Sequence, residues 1–215
     1  MRTFLIIIFS LCISFQAMAT AQLPDKIVYK GKTYKLHSNP LEAYFEQHPE
    51  KRPYGIGSTA LWRGYIATFE IRDQQLYVKD ISVEYADSLK GTHDFKWKSV
   101  MQEVFPDQKS FKVDWVNGLL VIPHGKMVNY VHMGYGSTYE KYILLEIDQG
   151  KLKREKKFDY KSYETFRAQQ FLAFKQTEEY RSVKAELQKD GSSDEYVDDF
   201  LKTYIIHYTS KILTP

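Results

Sequence analysis

The chain has 215 residues, with 30 Lys and Arg against 27 Asp and Glu, 15% Phe, Tyr and Trp, and a single Cys. A formal charge of +3 is too balanced to argue for nucleic acid as a partner. No segment is poor enough in apolar residues to read as disordered, and no repeat period is visible.

At the start, Arg2 precedes an apolar run from Phe4 to Phe15, followed by small residues at Ala17, Ala19 and Ala21. This order of basic, apolar and small residues predicts a cleavable secretory signal peptide over residues 1–21, cut after Ala19 or Ala21. The run is about a dozen residues, short of the roughly 20 that a spanning helix needs, and Gln16 ends it. No transmembrane anchor is therefore expected after cleavage, and the protein is expected in the periplasm or outside the cell. Cys12 lies inside the apolar run, and Phe9, Ser10 and Leu11 before it do not fit a lipoprotein signal. Cleavage would leave no thiol for a disulfide, a nucleophile or a thiolate metal site. Residues 22–215 then have the size and aromatic content of a single α+β domain, β-rich over 22–158 and helical over 159–215.

Ile27 to Tyr29 and Thr33 to Leu36 flank Lys30-Gly31-Lys32 and predict a hairpin. Asn39-Pro40 with Leu41, Tyr44 and Phe45 predicts a short helix to about His48, with Asn39 as cap and proline at the first turn. Ala60 to Arg72 alternates as a strand does and pairs through Asp73-Gln74-Gln75 with Leu76 to Tyr85. Trp97 to Phe105 reads as another helix, stopped by Pro106. Strands are expected at Phe111 to Val116, Leu119 to Ile122, Met127 to Tyr135 and Tyr139 to Ile147, and a turn at Asp148 to Lys151 returns the chain through Leu152 to Phe158. Short connections imply mostly antiparallel neighbours. The period then becomes helical. Asp159 or Ser162 can cap a helix carrying Tyr163, Phe166, Gln170, Phe171 and Phe174, and Ser192 with Glu195 suggests a capping box for a final helix with Val197, Leu201, Ile205 and Ile212 on its apolar face. The expected fold is an antiparallel sheet with short N-terminal helices, covered by two C-terminal helices.

The segment Leu61-Trp62-Arg63-Gly64-Tyr65-Ile66-Ala67-Thr68-Phe69-Glu70-Ile71, with Leu76-Tyr77, Trp115-Val116-Asn117-Gly118, Pro123-His124-Gly125-Lys126 and Met133 to Glu140, resembles a family of uncharacterised secreted bacterial proteins. The resemblance covers most of residues 27–150. It implies common ancestry and bacterial origin, and it carries over no catalytic residue.

Six histidines occur singly, without the spacing of a metal site, so no metal or other cofactor is expected. His93 and Asp94 are adjacent, and on an extended chain they point apart. No nucleophile elbow or phosphate loop occurs, and Gly134-Tyr135-Gly136-Ser137 reads as a turn between strands. Glu70, Asp80, Glu84, Asp114 and Glu140 could supply the two carboxyls of a glycosidase, or simply face solvent from strands. The basic run from Lys151 to Lys157 reads as protection of an exposed sheet edge.

The candidate binding residues are Trp62, Arg63, Trp115, His124, Lys126, His132, Tyr135 and Tyr139, bulky amphipathic side chains near turns. The alternative is that Trp62 and Trp115 are core and the others ordinary surface. The favoured function is non-catalytic binding of another envelope or periplasmic protein, as an inhibitor or immunity protein does. Two alternatives remain: a glycan- or small-molecule-handling protein, including a carboxylate-dependent hydrolase, and a structural envelope component.

Overall fold

A computed structural model describes residues 20–86, 95–189 and 191–214. The expected signal peptide up to residue 19 and the His93-Asp94 pair lie outside the described residues.

The first hairpin forms as expected. β1 (Asp25–Tyr29) and β2 (Lys32–Leu36) pair antiparallel with Tyr29 opposite Lys32. Lys30 and Gly31 both take positive φ, the twist that a two-residue hairpin turn requires. The next hairpin, β3 (Tyr65–Arg72) with β4 (Gln75–Ala86), uses the same device at Asp73 and Gln74. Tyr65, Ala67 and Phe69 face inward from β3. Residues 60–64, expected in the strand, form turns instead: Leu61 N–H bonds the Ser58 carbonyl and Gly64 N–H the Leu61 carbonyl. β1 also runs parallel to β3, an exception to the expected antiparallel pattern.

Between these hairpins lies α1 (Glu42–Gln47). Asn39 does not cap it with its side chain; its carbonyl receives the Glu42 N–H and its side chain is used elsewhere. The helix expected from Trp97 is also corrected. Phe95 and Trp97 alternate with Lys96 and Lys98, and that two-residue period makes β5 (Phe95–Ser99) against the end of β4, leaving one helical turn, α2 (Met101–Val104). β6 (Phe111–Lys112) is a two-residue contact with β4.

β7 (Gly118–Asn129), β8 (Thr138–Asp148) and β9 (Lys151–Asp159) form a meander. His124-Gly125 does not separate two strands. Gly125, at φ +81°, makes a bulge inside β7, and Glu140 accepts the Lys126 N–H across it at 2.9 Å. β7 ends at Asn129, so residues 130–135 belong to a loop.

The sheet order is β2-β1-β3-β4-β9-β8-β7. Its edges approach each other, because His37 N–H bonds the Val121 carbonyl at 2.9 Å and Ser38 Oγ accepts the Val121 N–H at 3.3 Å. β9 pairs with β8 along its length but with β4 only at Gln75–Lys151, so Lys153, Lys156 and Lys157 lie on a strand whose other side has no strand partner among the described residues beyond Lys151. They are used in ion pairs such as Lys153 with Asp148 and in holding the C-terminal segment, where Arg154 reaches the Ile212 carbonyl.

The C-terminal region holds three helices instead of two: α3 (Tyr160–Phe174), α4 (Glu178–Leu187) and α5 (Asp194–Tyr208). Asp159 caps α3 as expected, while α5 is capped by Ser193, whose hydroxyl receives the Tyr196 N–H, and not by Ser192. One core, with Ile27, Phe45, Tyr65, Phe69, Ile81 and Ile122, fills the inner face of the sheet. The other, with Leu119, Val121, Tyr142, Leu144, Phe166, Phe174, Leu201 and Ile205, lies between β7-β8 and the helices. Alternate residues of 119–122 therefore serve opposite cores, which is why that run is continuously apolar. Each fully buried Leu or Phe here contributes about 1.5–3 kcal/mol of transfer free energy. The α+β architecture is the one expected. Among the described residues no helix is long and apolar enough to cross a membrane.

Candidate binding cleft

The residue that organises the site is His37, just beyond β2 and 7% exposed. Its ring stacks on Tyr135 at 4.6 Å between centroids and 16° between planes, and meets Tyr139 edge-on at 5.5 Å. Tyr135 belongs to the loop joining β7 and β8, and its hydroxyl is fixed from two sides. It donates to Asn39 Oδ1 at 2.8 Å and accepts from Arg63 Nη1 at 3.3 Å.

Arg63 is itself buried, at 3% exposure, and its Nη2 also donates to the Leu23 carbonyl at 2.9 Å and to Asp25 Oδ1 at 3.4 Å. Asp25 Oδ1 accepts the Ala67 N–H at 2.9 Å, whereas Asp25 Oδ2 and Arg63 Nε have no hydrogen-bond partner among the described residues. Burial raises the Asp25 carboxyl to about 7, outweighing the Arg63 guanidinium that acts in the opposite direction. Burial also pushes the Tyr135 phenol up to about 12. This row of bonds runs from the buried start of β1 to the His37 ring and holds the Tyr135 loop in place. Ala21 and Gln22 hold the same loop from outside, Gln22 N–H bonding the Gly134 carbonyl at 3.0 Å.

His37, Asn39 and the Tyr135 loop form one wall of a cleft of about 510 Å³, and α3 and α5 form the other. Such a volume is in the range of small-ligand sites, about 300–1,000 Å³. The helical wall presents Tyr163, Glu164 and Arg167 from α3 and Thr203, Tyr204 and His207 from α5. Arg167 is held by Glu164 Oε1 at 2.9 Å and by the Thr203 carbonyl. Next to that carbonyl, α5 departs from helical geometry at Tyr204, with φ −108° and ψ 19°. Tyr142 and Tyr163 stack at 3.9 Å behind the floor.

His37 is held neutral down to about pH 3, chiefly by burial and secondarily by Lys35 and His207. His207 opens onto the cleft yet is crowded by protein, and this, with Arg167, lowers its pKa too. A second cleft of about 510 Å³ adjoins the first at Asn39, Ile206 and His207, with Glu42, Glu46, Trp115 and Glu179 around it.

Of the residues expected from sequence, Arg63, Tyr135 and Tyr139 come together around His37. Trp115 stands at the adjoining cleft, half-buried, its indole N–H on the Pro40 carbonyl at 2.9 Å and its ring 4.7 Å from Tyr44. Trp62 is 59% exposed and is not core. His124 packs against Tyr34, Lys126 is exposed at the β7 bulge, and exposed His132 lies 5.5 Å from Tyr130; none of these lines the cleft. The strand expected from Met127 to Tyr135 stops at Asn129, so Val131 and Tyr135 belong to the loop and not to β7. His37, Glu164, Arg167, Tyr204 and His207 were not among the site residues expected from sequence. His37 and the α5 residues carry no spacing signal, since about 170 positions separate elements that only the fold brings together. Glu70, Asp80, Glu84, Asp114 and Glu140 do not line the cleft. Among the described residues no group of three His, Cys, Asp or Glu side chains is placed to hold a metal ion. Comparison with family models, curated proteins and solved structures finds no match to this chain.

Proposed function

We propose that this chain is an exported bacterial binding protein, a member of the secreted family it resembles, and that its recognition site is the cleft between the Tyr135 loop and α3–α5. The observation that carries this reading is His37, a neutral ring 93% buried that makes no side-chain hydrogen bond among the described residues and lines the cleft. The ring nitrogens of His37 are not among the enclosed unbonded atoms of the described residues, so they keep contact with open space although most of the ring is covered. A positioned imidazole with open donor and acceptor capacity, backed by Tyr135, is suited to a ligand's polar group. Binding without catalysis fits the cleft's chemistry, because its Glu164 carboxylate is already engaged by Arg167 and no second carboxylate lines it among the described residues.

The test is capture from bacterial envelope extract by the wild-type chain and by His37→Ala and Tyr204→Ala variants. Retention of a specific ligand by wild type and its loss in both variants is expected. Equal capture by all three would remove the cleft from the account.

A second reading has its own observation. Trp62 is 59% exposed and Tyr54 92%, and Leu23, 42% exposed, is tied to the Trp62 turn through the Ala60 carbonyl. An exposed aromatic group of this kind suits docking onto an envelope protein, as in an inhibitor or immunity protein. Loss of a captured protein on Trp62→Ala, with the cleft variants unaffected, would favour this reading.

A further inference from the structure

The chemistry of the cleft wall narrows its ligand. The two histidines on it are neutral at physiological pH, and its one guanidinium is already matched by Glu164 and the Thr203 carbonyl. A ligand carrying a formal charge would therefore give up hydration without meeting a free counter-ion, which costs far more than burying a hydroxyl or amide that finds a partner.

What the wall leaves open is neutral hydrogen-bonding capacity. The His37 ring offers one donor and one acceptor. Asn39, on the same wall, accepts from Tyr135 at Oδ1 and has no partner for its amide N–H groups among the described residues, whereas Thr138 Oγ1 and Gln22 Oε1 are enclosed by protein and beyond a ligand's reach. Because donors and acceptors are both open, a ligand that only accepts or only donates would leave groups unmatched. Between these polar points the lining is apolar or aromatic, from Val121, Val131, Met133, Ile206 and the rim Tyr204. The complementary molecule is compact and uncharged, with polar groups at its edge and C–H surfaces on its faces.

We propose that the cleft binds an uncharged sugar ring bearing hydroxyl and amide groups, His37 pairing with an edge hydroxyl or amide and Tyr204 covering a C–H face. This rests on the reading of the cleft as the binding site and adds the class of ligand. Neutral peptide segments share the hydrogen-bonding groups but lack the ring of hydroxyls, and they are an outcome of the test.

The experiment is titration calorimetry with saturation-transfer NMR on the purified chain at pH 7, using N-acetylglucosamine, its β-1,4 disaccharide, glucosamine and glucuronate as probes. The neutral sugars should bind with saturation of their ring protons. Glucosamine and glucuronate should bind at least tenfold more weakly, and His37→Gln and Tyr204→Ala, each checked for an intact NMR spectrum, should lose at least tenfold. Charged sugars binding as tightly as neutral ones would overturn the ligand class. So would the absence of sugar binding while the cleft variants still lose an envelope ligand, including a peptide. Unaltered capture by those variants would instead overturn the cleft itself.

Discussion

Replacing Asp25 by Asn separates two opposite accounts of the buried pair it forms with Arg63. Asp25 and Arg63 side chains are both fully enclosed and 3.4 Å apart at their closest polar atoms. If attraction dominates, the variant strands a buried guanidinium and loses about 3–5 kcal/mol at neutral pH. If desolvation dominates, as the rise of the Asp25 carboxyl from 3.8 to about 7 implies, the outcome reverses. Between those two values the folded chain keeps a proton that the unfolded chain has released. Stability attributable to Asp25 is therefore full below pH 4, falls as pH rises through that window and levels off above 7. At 1.36 kcal/mol per unit the ceiling is about 4 kcal/mol. Wild type and Asp25→Asn should then have similar stability at pH 4, and the variant should be the more stable by up to that amount at pH 8. Urea denaturation followed by tryptophan fluorescence across this range measures the difference, and other titrating groups cancel from it. A variant several kcal/mol less stable than wild type at pH 7 would refute the reasoning and make Asp25 an ionised partner of Arg63.

His37 should stay neutral in the folded chain, its imidazole signals unmoved from pH 7 to pH 4.5. Because its unfolded counterpart takes up a proton below about 6.5, it should withdraw stability as pH falls from there towards 3. A His37→Gln variant should be less acid-sensitive than wild type in the same denaturation series. Gly150→Ala should cost roughly 3 kcal/mol or more by thermal unfolding, since Gly150 has φ +71° and an added Cβ would lie 1.7 Å from the Val113 carbonyl oxygen. Ser193→Ala should cost about 1 kcal/mol, read from the shift of the denaturation midpoint, by removing the hydroxyl that accepts the Tyr196 N–H at 3.2 Å.

Much of the sheet was legible because its hairpins are signalled locally. Lys30-Gly31 and Gln149-Gly150 place residues of positive φ between runs of strand-forming side chains, and the structure turns there. Glycine was a poorer guide where the strand continued: Gly125 reads like a turn but makes a bulge, and nothing in Pro123-His124-Gly125-Lys126 distinguishes the two without the partner strand. α4 escaped notice because its apolar stripe is short, Tyr180, Val183 and Leu187, with only Tyr180 buried against the second core; its start is marked by Thr177, whose side chain receives the Tyr180 N–H. In the cleft, Arg63, Tyr135 and Tyr139 stood out by residue type. His37, Arg167 and His207 did not, because their neighbourhood arises from the curl of the sheet and the docking of α5. The exposure of Trp62 also ran against residue type, tryptophan being ordinary core material.

The approach of β2 to β7 has a temporal consequence. β1 and β2 are made first, yet their partners come late. Asp25 needs Ala67, 42 positions on; His37 needs Val121; Gln22 needs Gly134; and Tyr29 hydrogen-bonds Glu155, 126 positions on. Closing such long loops before the contacts that reward them places the rate-limiting barrier late and makes folding slow for the chain's size. A nascent chain ending before β7 can pair β1 with β3 but lacks Val121, Gly134 and Glu155, so the contacts that tie down residues 22–38 should be among the last to gain hydrogen-exchange protection during refolding.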